Sequence, residues 1–408
     1  MSQEFNKKIM FIFIVLMFFI IININLINAA VPYRNYVYDF WGEIEPAPQA
    51  YLFQKEISGR DLNISSFESP EDIYVQNNII YILDSGNNRI VCLNEKFELL
   101  KEIHEFNGND NFNYPEGLFV TEKGKIYVAD TNNNRIVILD MEGNLNRFIK
   151  SPKEHMNDIL PEKFKFKPKN LVVDSSQRIY VISKNTYDGI LTFQNDNEFD
   201  GFIGAPRIKP NPVDLFWSQI ATEEQRKRME LFLPIEYANL DLDRKGFILA
   251  VEAGIVESDT IKRLNNSGED ILRRNGFRPP MGDFKPELDK SRFADITSRN
   301  FGGYSVLDSF HGRVFTYDKN GNMLYTFGGL GQIEGTFITP VAIDGLDNKL
   351  LVLDKGSNTI KIFRKTTYAS NIHQAILLYK NGLYDKSANM WQKVLGKNPN
   401  FELAYSGL

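Results

Sequence analysis

A chain of 408 residues is long enough to bury a large core and to hold one large domain with part of another. Its 47 basic and 52 acidic side chains are mixed along the sequence, which argues against nucleic acid as a partner. The single cysteine, Cys92, excludes an internal disulfide, so the compartment must be inferred from other features.

The first 30 residues have the pattern of an export signal. A lysine pair precedes an uncharged apolar run at 9–22, and small residues follow at Ala29 and Ala30. Extended to Ile27, the run reaches 19 residues and could span a bilayer, so an uncleaved membrane anchor is the alternative. With the lysines in the cytoplasm, both alternatives export the rest of the chain. We therefore predict an extracytoplasmic protein, secreted or anchored at the outer face of the cell membrane, with membrane contact only through residues 1–30.

One phrase recurs four times: an apolar strand ending in Asp, a polar turn, and an Arg or Thr five residues later that opens a second strand. Neighbouring copies are about 46 residues apart, at 81–90 and 127–136 and again at 305–314 and 351–360. A β-hairpin with this period is typical of one blade of a radial β-structure. Because the opening strands of six such units align, we predict an all-β six-bladed β-propeller over residues 33–366.

The hairpins resemble the NHL repeat, whose unit runs Pro-x-Gly-Ile, then Gly, then Ile-Tyr-Val-Ala-Asp and Asn-x-Arg-Ile. The resemblance covers about residues 33–365 and is weak in the third and fourth blades, where Ser183 and Glu252 replace the aspartate. It implies a six-bladed propeller of the NHL type, a fold that usually presents surfaces to other proteins.

The repeated Asp and Arg residues are predicted to be structural, because an active site needs one constellation and not a copy in every blade. The Asp side chain would cap the turn amides and hold the following Arg or Asn. The residues concerned are Asp84, Arg89, Asp130, Arg135, Asp308, Arg313 and Asp354.

The sequence also predicts how the ring closes. The last blade has only three strands before Thr366, and residues 36–42 resemble the fourth strand of the fifth blade at 323–329. We therefore expect residues 36–42 to be the missing strand, so that no edge is left unpaired.

Two segments depart from the strand rhythm. Residues 211–233 have the apolar spacing of a helix, which predicts a helical insertion that is either a structural lid or a partner-binding helix. Residues 370–408 resemble the tetratricopeptide (TPR) repeat and predict helices at about 370–380 and 384–396. Since one TPR unit cannot bury its own face, this TPR-like segment is predicted to be incomplete or docked on the propeller.

The residue before each opening strand is the candidate for binding chemistry, because the innermost strands of a propeller line its central channel. The NHL pattern prefers Gly there, as at Gly117, but four blades have an oxygen-bearing side chain: Asp72, Asn170, Asn239 and Asp295. All-oxygen ligands suit Ca²⁺ or another hard divalent cation. The alternative is that these side chains only cap turns and hydrate the channel.

This set is similar to the Glu/Asn/Asn/Asp metal site of gluconolactonase-type propellers, with Asp72 or its neighbour Glu71 in place of the leading Glu. Glu71 and Glu116 add negative charge, which disfavours an anionic ligand at the channel mouth.

Several function classes stay open. The four histidines share no metal-binding spacing, and motifs for nucleophilic catalysis or phosphate binding are not found. We therefore predict a non-enzymatic scaffold without a cofactor, whose protein partner contacts the propeller face and the TPR-like segment. A metal-dependent gluconolactonase- or lyase-like hydrolase at the channel mouth is the alternative. Carbohydrate binding through aromatics such as Trp41 and Trp217 is a third.

Overall fold

The computed structural model describes residues 31–106, 108, 110–152, 164–186, 188–196, 198–205, 236–285 and 288–408. The predicted export segment and the predicted helical insertion at 211–233 lie outside these residues. Within the part of the chain that is described, no helix is long and apolar enough to cross a membrane.

Short strands alternate with polar turns because β-branched and aromatic residues recur between Gly, Asn and Asp positions. The strands of the first half are β1 (Tyr36–Tyr38), β2 (Ile44–Pro46), β3 (Tyr51–Ile57), β4 (Asp72–Gln76), β5 (Ile79–Asp84), β6 (Arg89–Leu93), β7 (Leu99–Ile103), β8 (Glu105–Phe106), β9 (Asp110–Asn111), β10 (Gly117–Val120), β11 (Ile126–Asp130), β12 (Arg135–Leu139) and β13 (Leu145–Ile149). Short 3-10 turns lie at Arg60–Leu62 and Thr131–Asn133.

The second half continues the same pattern and ends in helices. Its strands are β14 (Pro168–Val173), β15 (Ile179–Ser183), β16 (Ile190–Phe193), β17 (Phe199–Ile203), β18 (Tyr237–Leu242), β19 (Ile248–Glu252), β20 (Ile261–Leu264), β21 (Phe293–Ser298), β22 (Tyr304–Asp308), β23 (Arg313–Tyr317), β24 (Met323–Phe327), β25 (Pro340–Leu346), β26 (Lys349–Asp354) and β27 (Thr359–Lys365). The helices are α1 (Thr367–Lys380), α2 (Tyr384–Leu395) and α3 (Glu402–Ser406).

The described strands form six antiparallel blades. Blades one to five are β4–β7, β10–β13, β14–β17, β18–β20 and β21–β24, and blade six is β25, β26, β27 and β3. The first strands of the blades contact one another in a closed ring, β4 to β10, β14, β18, β21, β25 and back to β4. This ring confirms the predicted six-bladed β-propeller.

The strand that closes the ring differs from the predicted one. Tyr51–Ile57 pairs with β27 from Ile360 to Lys365, so the N-terminal part of the chain does complete blade six. The prediction that residues 36–42 supply this strand was wrong. Tyr36–Tyr38 instead forms a hairpin with β2 and packs beside β24. The physical reason is that β1 has only three residues and its tyrosines donate hydrogen bonds to the buried Asp283 carboxylate, whereas the seven residues of β3 can pair along β27.

The C-terminal helices dock on blades five and six. His373 of α1 stacks on Phe301 with ring centroids 4.0 Å apart and shares a 2.6 Å hydrogen bond with the Tyr325 hydroxyl. Buried residues of α1 and α2, among them Ile372 and Trp391, share one core with the two blades. The two predicted helices are present, whereas a TPR identity for this short helix pair stays a prediction.

Candidate functional site

The innermost strands present alternate residues to the central channel, because side chains of a strand point to opposite faces in turn. The four residues predicted at its mouth lie around one narrow cavity, where Asp72, Asn170 and Asp295 are buried and Asn239 is half-buried. The structure therefore brings the four side chains together. Whether they bind a ligand stays a prediction.

Three of these side chains connect neighbouring blades through backbone hydrogen bonds. The Asp72 carboxylate accepts from its neighbour Ile73 N at 2.8 Å and from Leu118 N of blade two at 2.8 Å. Asn170 Oδ1 accepts from Leu240 N of blade four at 3.1 Å. Each acceptor thus ties its own inner strand to that of the next blade.

Asp295 of blade five repeats the arrangement of Asp72, two blades away around the ring. Its carboxylate accepts from Ile296 N at 2.7 Å and from Ile343 N of blade six at 2.6 Å. In blade two, the glycine preferred by the repeat is retained because a Cβ at Gly117 would overlap the backbone of Lys169 in blade three. This close approach explains why blade two has no side chain in the ring.

A second layer of the channel, two residues further along the inner strands, was missed by the sequence reasoning. Asp241 accepts from Ser298 N at 2.6 Å, and Asp344 accepts from Val75 N at 2.7 Å and from the Thr297 hydroxyl at 2.8 Å. The signal was present, since strand alternation places any residue two positions after a channel residue on the same face.

The four channel aspartates carry raised pKa values. Burial, with the charges of Asp344 and Glu71 as smaller causes, raises the pKa of Asp72 to about 8, and burial beside Asp344 raises that of Asp241 to about 7. Burial also raises the pKa of Asp295 and of Asp344. Taking charge out of water is costly, so burial favours protonation of some of these carboxyl groups.

The size and spacing of the channel limit what it can hold. Its cavity has a volume of about 20 Å³, which is enough for one water or one ion. Among the described residues, the only acidic and histidine side chains that bring three ligand atoms within 4.8 Å of one another are Asp283, Asp308 and His311, outside the channel. A cation in the channel would therefore need the Asn oxygens as well as the aspartates.

The two glutamates predicted to add negative charge at the mouth are both paired. Glu71 forms an ion pair with Lys355 and accepts a 2.9 Å hydrogen bond from Tyr114, while Glu116 pairs with Lys184 at 2.6 Å. Lys355 comes directly after the repeat aspartate of blade six, and Lys184 comes directly after the equivalent position of blade three. The local charge of the glutamates is thus balanced within the propeller.

The repeat aspartates of blades one and two form the same contacts. The Asp84 carboxylate accepts from Glu68 N at 2.7 Å and pairs with Arg89 Nε at 2.7 Å. Asp130 accepts from Asn113 N at 2.8 Å and pairs with Arg135 at 2.8 Å. Each aspartate fixes the loop that leads into its own blade, which supports the structural interpretation of the repeat.

Blades five and six keep the aspartate but change its partner. An Asp308 carboxylate oxygen lies 2.7 Å from His311 Nδ1, and an Asp354 carboxylate oxygen lies 3.4 Å from Lys361 Nζ. Arg313 instead forms an ion pair with Asp283, a fully buried carboxylate that also accepts from the hydroxyls of Tyr36 and Tyr38. Arg313 and hydrogen bonds therefore already satisfy the polar atoms of Asp283, Asp308 and His311. These residues form an ion-pair cluster.

An exposed aromatic cluster lies on the turn between β1 and β2. Trp41 is 76% exposed and Phe40 54%, and the Phe40 ring lies 5.3 Å from Trp41 and 5.9 Å from Phe277. The backbone of Phe40 donates a 2.7 Å hydrogen bond to Glu402 of α3. Trp217, the other aromatic considered from the sequence, lies outside the described residues.

Comparison with known proteins supports the repeat and the fold. The model of the NHL repeat family matches residues 67–93 and 112–139, which are in blades one and two. No curated protein matches the chain.

Solved structures resemble this fold at low identity. A protein of unknown function from Bacteroides thetaiotaomicron is 12% identical, with a TM-score of 0.49, over 81% of this chain and 76% of that chain. A selenomethionine-substituted virginiamycin B lyase from Staphylococcus aureus is 14% identical, with a TM-score of 0.48, over 78% of this chain and 100% of that chain. Kuenenia stuttgartiensis hydrazine synthase is 10% identical, with a TM-score of 0.45, over 73% of this chain and 77% of that chain.

Proposed function

We propose that this protein is an exported or membrane-anchored NHL-type propeller that acts as a binding scaffold for a partner protein. The observation that carries the proposal is the exposed cluster of Phe40, Trp41 and Phe277. Large exposed aromatics are costly in water and are the residues that most often dominate protein interfaces.

The surroundings of the cluster fit a peptide or loop better than a flat contact. A shallow pocket beside it is lined by Tyr38, Phe277, Arg278 and Phe284 and by residues of α3. Arg278 stacks over Phe284 with 5.0 Å between the guanidinium carbon and the ring centroid, and Asp39 and Glu402 also line the pocket, so its floor is apolar and its charges have both signs. An apolar side chain on the partner would match the floor.

The channel supports the scaffold interpretation indirectly. Its aspartates and Asn170 accept backbone hydrogen bonds that join neighbouring blades, and a cavity of about 20 Å³ cannot admit an organic substrate. The channel residues therefore have a sufficient structural role without catalysis.

A photoreactive phenylalanine analogue placed at position 41 tests the proposal in intact host cells. We expect one discrete crosslinked partner from position 41 and none from position 100, where Leu100 is also exposed, at 51%, but lies in blade one. Identical crosslinking patterns from the two positions, or none from position 41, would contradict a partner site at this cluster.

A metal-dependent gluconolactonase- or lyase-like hydrolase is the second candidate. The observation that favours it is the set of four aspartates around one cavity, two buried and two half-buried, with two asparagine side chains available as further oxygen ligands. A bound divalent cation would supply a Lewis acid or an activated water. Asp72, Asp295, Asn170 and Asn239 are the residues that would hold it, and the substrate would have to bind outside the mouth.

A further inference from the structure

A second cavity lies between helix α1 and the β21–β22 and β25–β26 turns of blades five and six. We propose that it binds a small organic oxyanion carrying a phosphate or carboxylate group. The cavity has a volume of about 280 Å³ and is separate from the channel and from the aromatic cluster. Its lining comes from the β21–β22 turn, the β25–β26 turn, the end of β27 and α1, and comprises Ser298, Arg299, Asn300, Phe301, Gly345, Asp347, Lys365, Ser370, His373, Gln374 and Leu377.

The charge of the lining is positive. Arg299 and Lys365 bring two cations to one cavity, and the one carboxylate among the lining residues, Asp347, is exposed at the surface. Burial, with the charge of Arg299 as a smaller cause, lowers the pKa of Lys365. Neither cation forms an ion pair among the described residues, although the charge of Arg299 acts on Asp344 of the channel, so an anion in the cavity would be favourable.

Arg299 provides the geometric evidence for an acceptor in the cavity. Its side chain is only 7% exposed, and Nη2 donates a 3.0 Å hydrogen bond to the Tyr51 hydroxyl. Its Nε is buried without a hydrogen-bond partner among the described residues. A buried N–H left without an acceptor is costly, and more so on a charged group, so Arg299 favours a ligand that accepts from it.

The guanidinium of Arg299 is held in place by its surroundings. A Cβ at position 345 would overlap Nη1 of Arg299, so Gly345 provides the space that the guanidinium fills. Together with the bond to Tyr51, this contact fixes the direction of the free N–H before any ligand binds. Preorganised arginine side chains of this kind are suited to carboxylate and phosphate recognition.

His373 adds a group that responds to the charge of the cavity. It is buried, stacks on Phe301, and bonds Tyr325 through Nε2. Burial, and then the charges of Lys365 and Arg299, lowers the pKa of His373 well below its usual value. An anion in the cavity would offset the two cations and raise that pKa again.

The volume suits a small molecule. Ligand pockets are usually about 300–1,000 Å³, so a cavity of about 280 Å³ admits a phosphate or carboxylate with a short organic body. Because the propeller supplies Arg299 and Lys365 while α1 supplies His373, such an anion would also strengthen the docking of the helices.

Calorimetric titration of the full chain with inorganic phosphate and, separately, with acetate tests the proposal at constant ionic strength. We expect saturable binding of at least one anion, weakened about tenfold or more by Lys365→Gln because a charge-assisted hydrogen bond is lost. Arg364→Gln is the matched control, since Arg364 is the exposed neighbour of Lys365 on β27 and does not line the cavity. Binding of phosphate alone would identify a phosphate ligand, and binding of acetate alone a carboxylate ligand.

A second measurement does not depend on affinity differences. In ¹⁵N-histidine spectra, the expected result is a higher His373 pKa at saturating anion in the wild type and no such rise in Lys365→Gln. Arg299→Gln is less suitable as the main test, because Arg299 also packs against Tyr51. The proposal is overturned if neither anion binds the folded wild type, or if Lys365→Gln and Arg364→Gln bind alike.

Discussion

The aspartate of each repeat holds parts of the chain that are distant in sequence. The Asp84 carboxylate accepts hydrogen bonds from the backbone N–H of Glu68, before blade one, and from the Asn87 side chain in the β5–β6 turn. It also forms an ion pair with Arg89 on the next strand. Arg89, only 2% exposed, also reaches Glu102 on β7 and the backbone of Ser65. One ion pair therefore holds together the loop that leads into the blade and three of its strands.

Arg89→Met should lower the free energy of unfolding by about 3–5 kcal/mol, because the fully buried Asp84 carboxylate would lose its cation. Arg364→Met at an exposed position is the control and should change it by about 0.5 kcal/mol or less. Urea unfolding followed by tryptophan fluorescence measures both. Equal effects of the two substitutions would contradict the structural role of the repeat.

His311 is the residue whose contacts require a proton. Its Nδ1 lies 2.7 Å from an Asp308 oxygen and its Nε2 lies 2.6 Å from the Leu288 carbonyl oxygen. Both partners are acceptors, so both ring nitrogens must donate, and only the charged imidazolium can do so. The bond to Asp308 accordingly raises the pKa of His311.

This raised pKa predicts how stability depends on pH. Because the folded-state pKa lies above the unfolded value near 6.5, proton binding favours the folded state. The stabilisation is complete below about pH 6.5 and is lost as the pH rises through the raised pKa. The stability difference between wild type and His311→Gln should thus be largest near pH 5.5 and shrink toward pH 9.

Urea unfolding at a series of pH values measures that difference. His104→Gln, at a position that is 56% exposed and 3.4 Å from a Glu102 oxygen, gives the weak pH dependence of a solvent-screened histidine–carboxylate pair. A difference for His311→Gln that stays constant from pH 5.5 to 9, or grows with pH, would show that the charged form is not the one stabilised.

The sequence located the first layer of the channel because the six inner strands could be aligned on their apolar residues. It did not indicate that the ring residues accept hydrogen bonds from the next blade, as Asp72 does from Leu118. Such contacts join residues 46 to 70 positions apart, so no local pattern encodes them. Arg299 and His373 were missed for the same reason, since the fold alone brings them to one cavity.

At the scale of elements, β3 determines whether the ring is closed. It is the outermost strand of blade six and pairs with β27 over six residue positions. The alternative closing strand predicted from the sequence resembled the right motif but is only three residues long, and its tyrosines bind the buried Asp283 carboxylate instead. No local pattern indicates that long-range contact.

The double substitution Lys55→Pro with Glu56→Pro should lower the melting temperature strongly. Backbone N–H groups of consecutive strand residues point alternately toward and away from the neighbouring strand, so one proline must remove a bond to β27. We expect a loss of about 3 kcal/mol or more. Lys55→Ala with Glu56→Ala is the matched control, because it removes the same side chains and keeps the backbone donors. Equal melting temperatures would contradict closure by β3.

The C-terminal helices should not be stable alone. Their buried face, including Tyr368 and Ile372, packs into the core that contains Tyr325 and Phe327 of blade five. We predict that an isolated fragment of residues 367–408 shows no cooperative thermal transition by circular dichroism. A sharp transition in the fragment without a partner would instead identify an autonomous helical domain.

At the scale of the whole molecule, the repeated phrase together with the alignment of six inner strands was sufficient to predict the number of blades, because each unit buries its faces only against its neighbours. Blades three and four lacked the repeat aspartate but could be placed from their inner strands. The propeller is therefore specified by spacing and alternation, whereas its binding properties depend on which side chains the closed ring brings together.

The closed ring also decides whether the channel binds metal, and we predict that it does not. One oxygen of Asp72 and one of Asp295 accept from the neighbouring blade, and the other oxygen of each accepts from the next residue of its own strand. With the pKa of Asp72 raised to about 8, protonation can relieve the buried charge without a cation. Calorimetric titration of the folded protein with Ca²⁺ and Mn²⁺ should detect no binding. Binding that is abolished by Asp295→Asn, with folding intact, would contradict this prediction and make the metal-dependent hydrolase the better proposal.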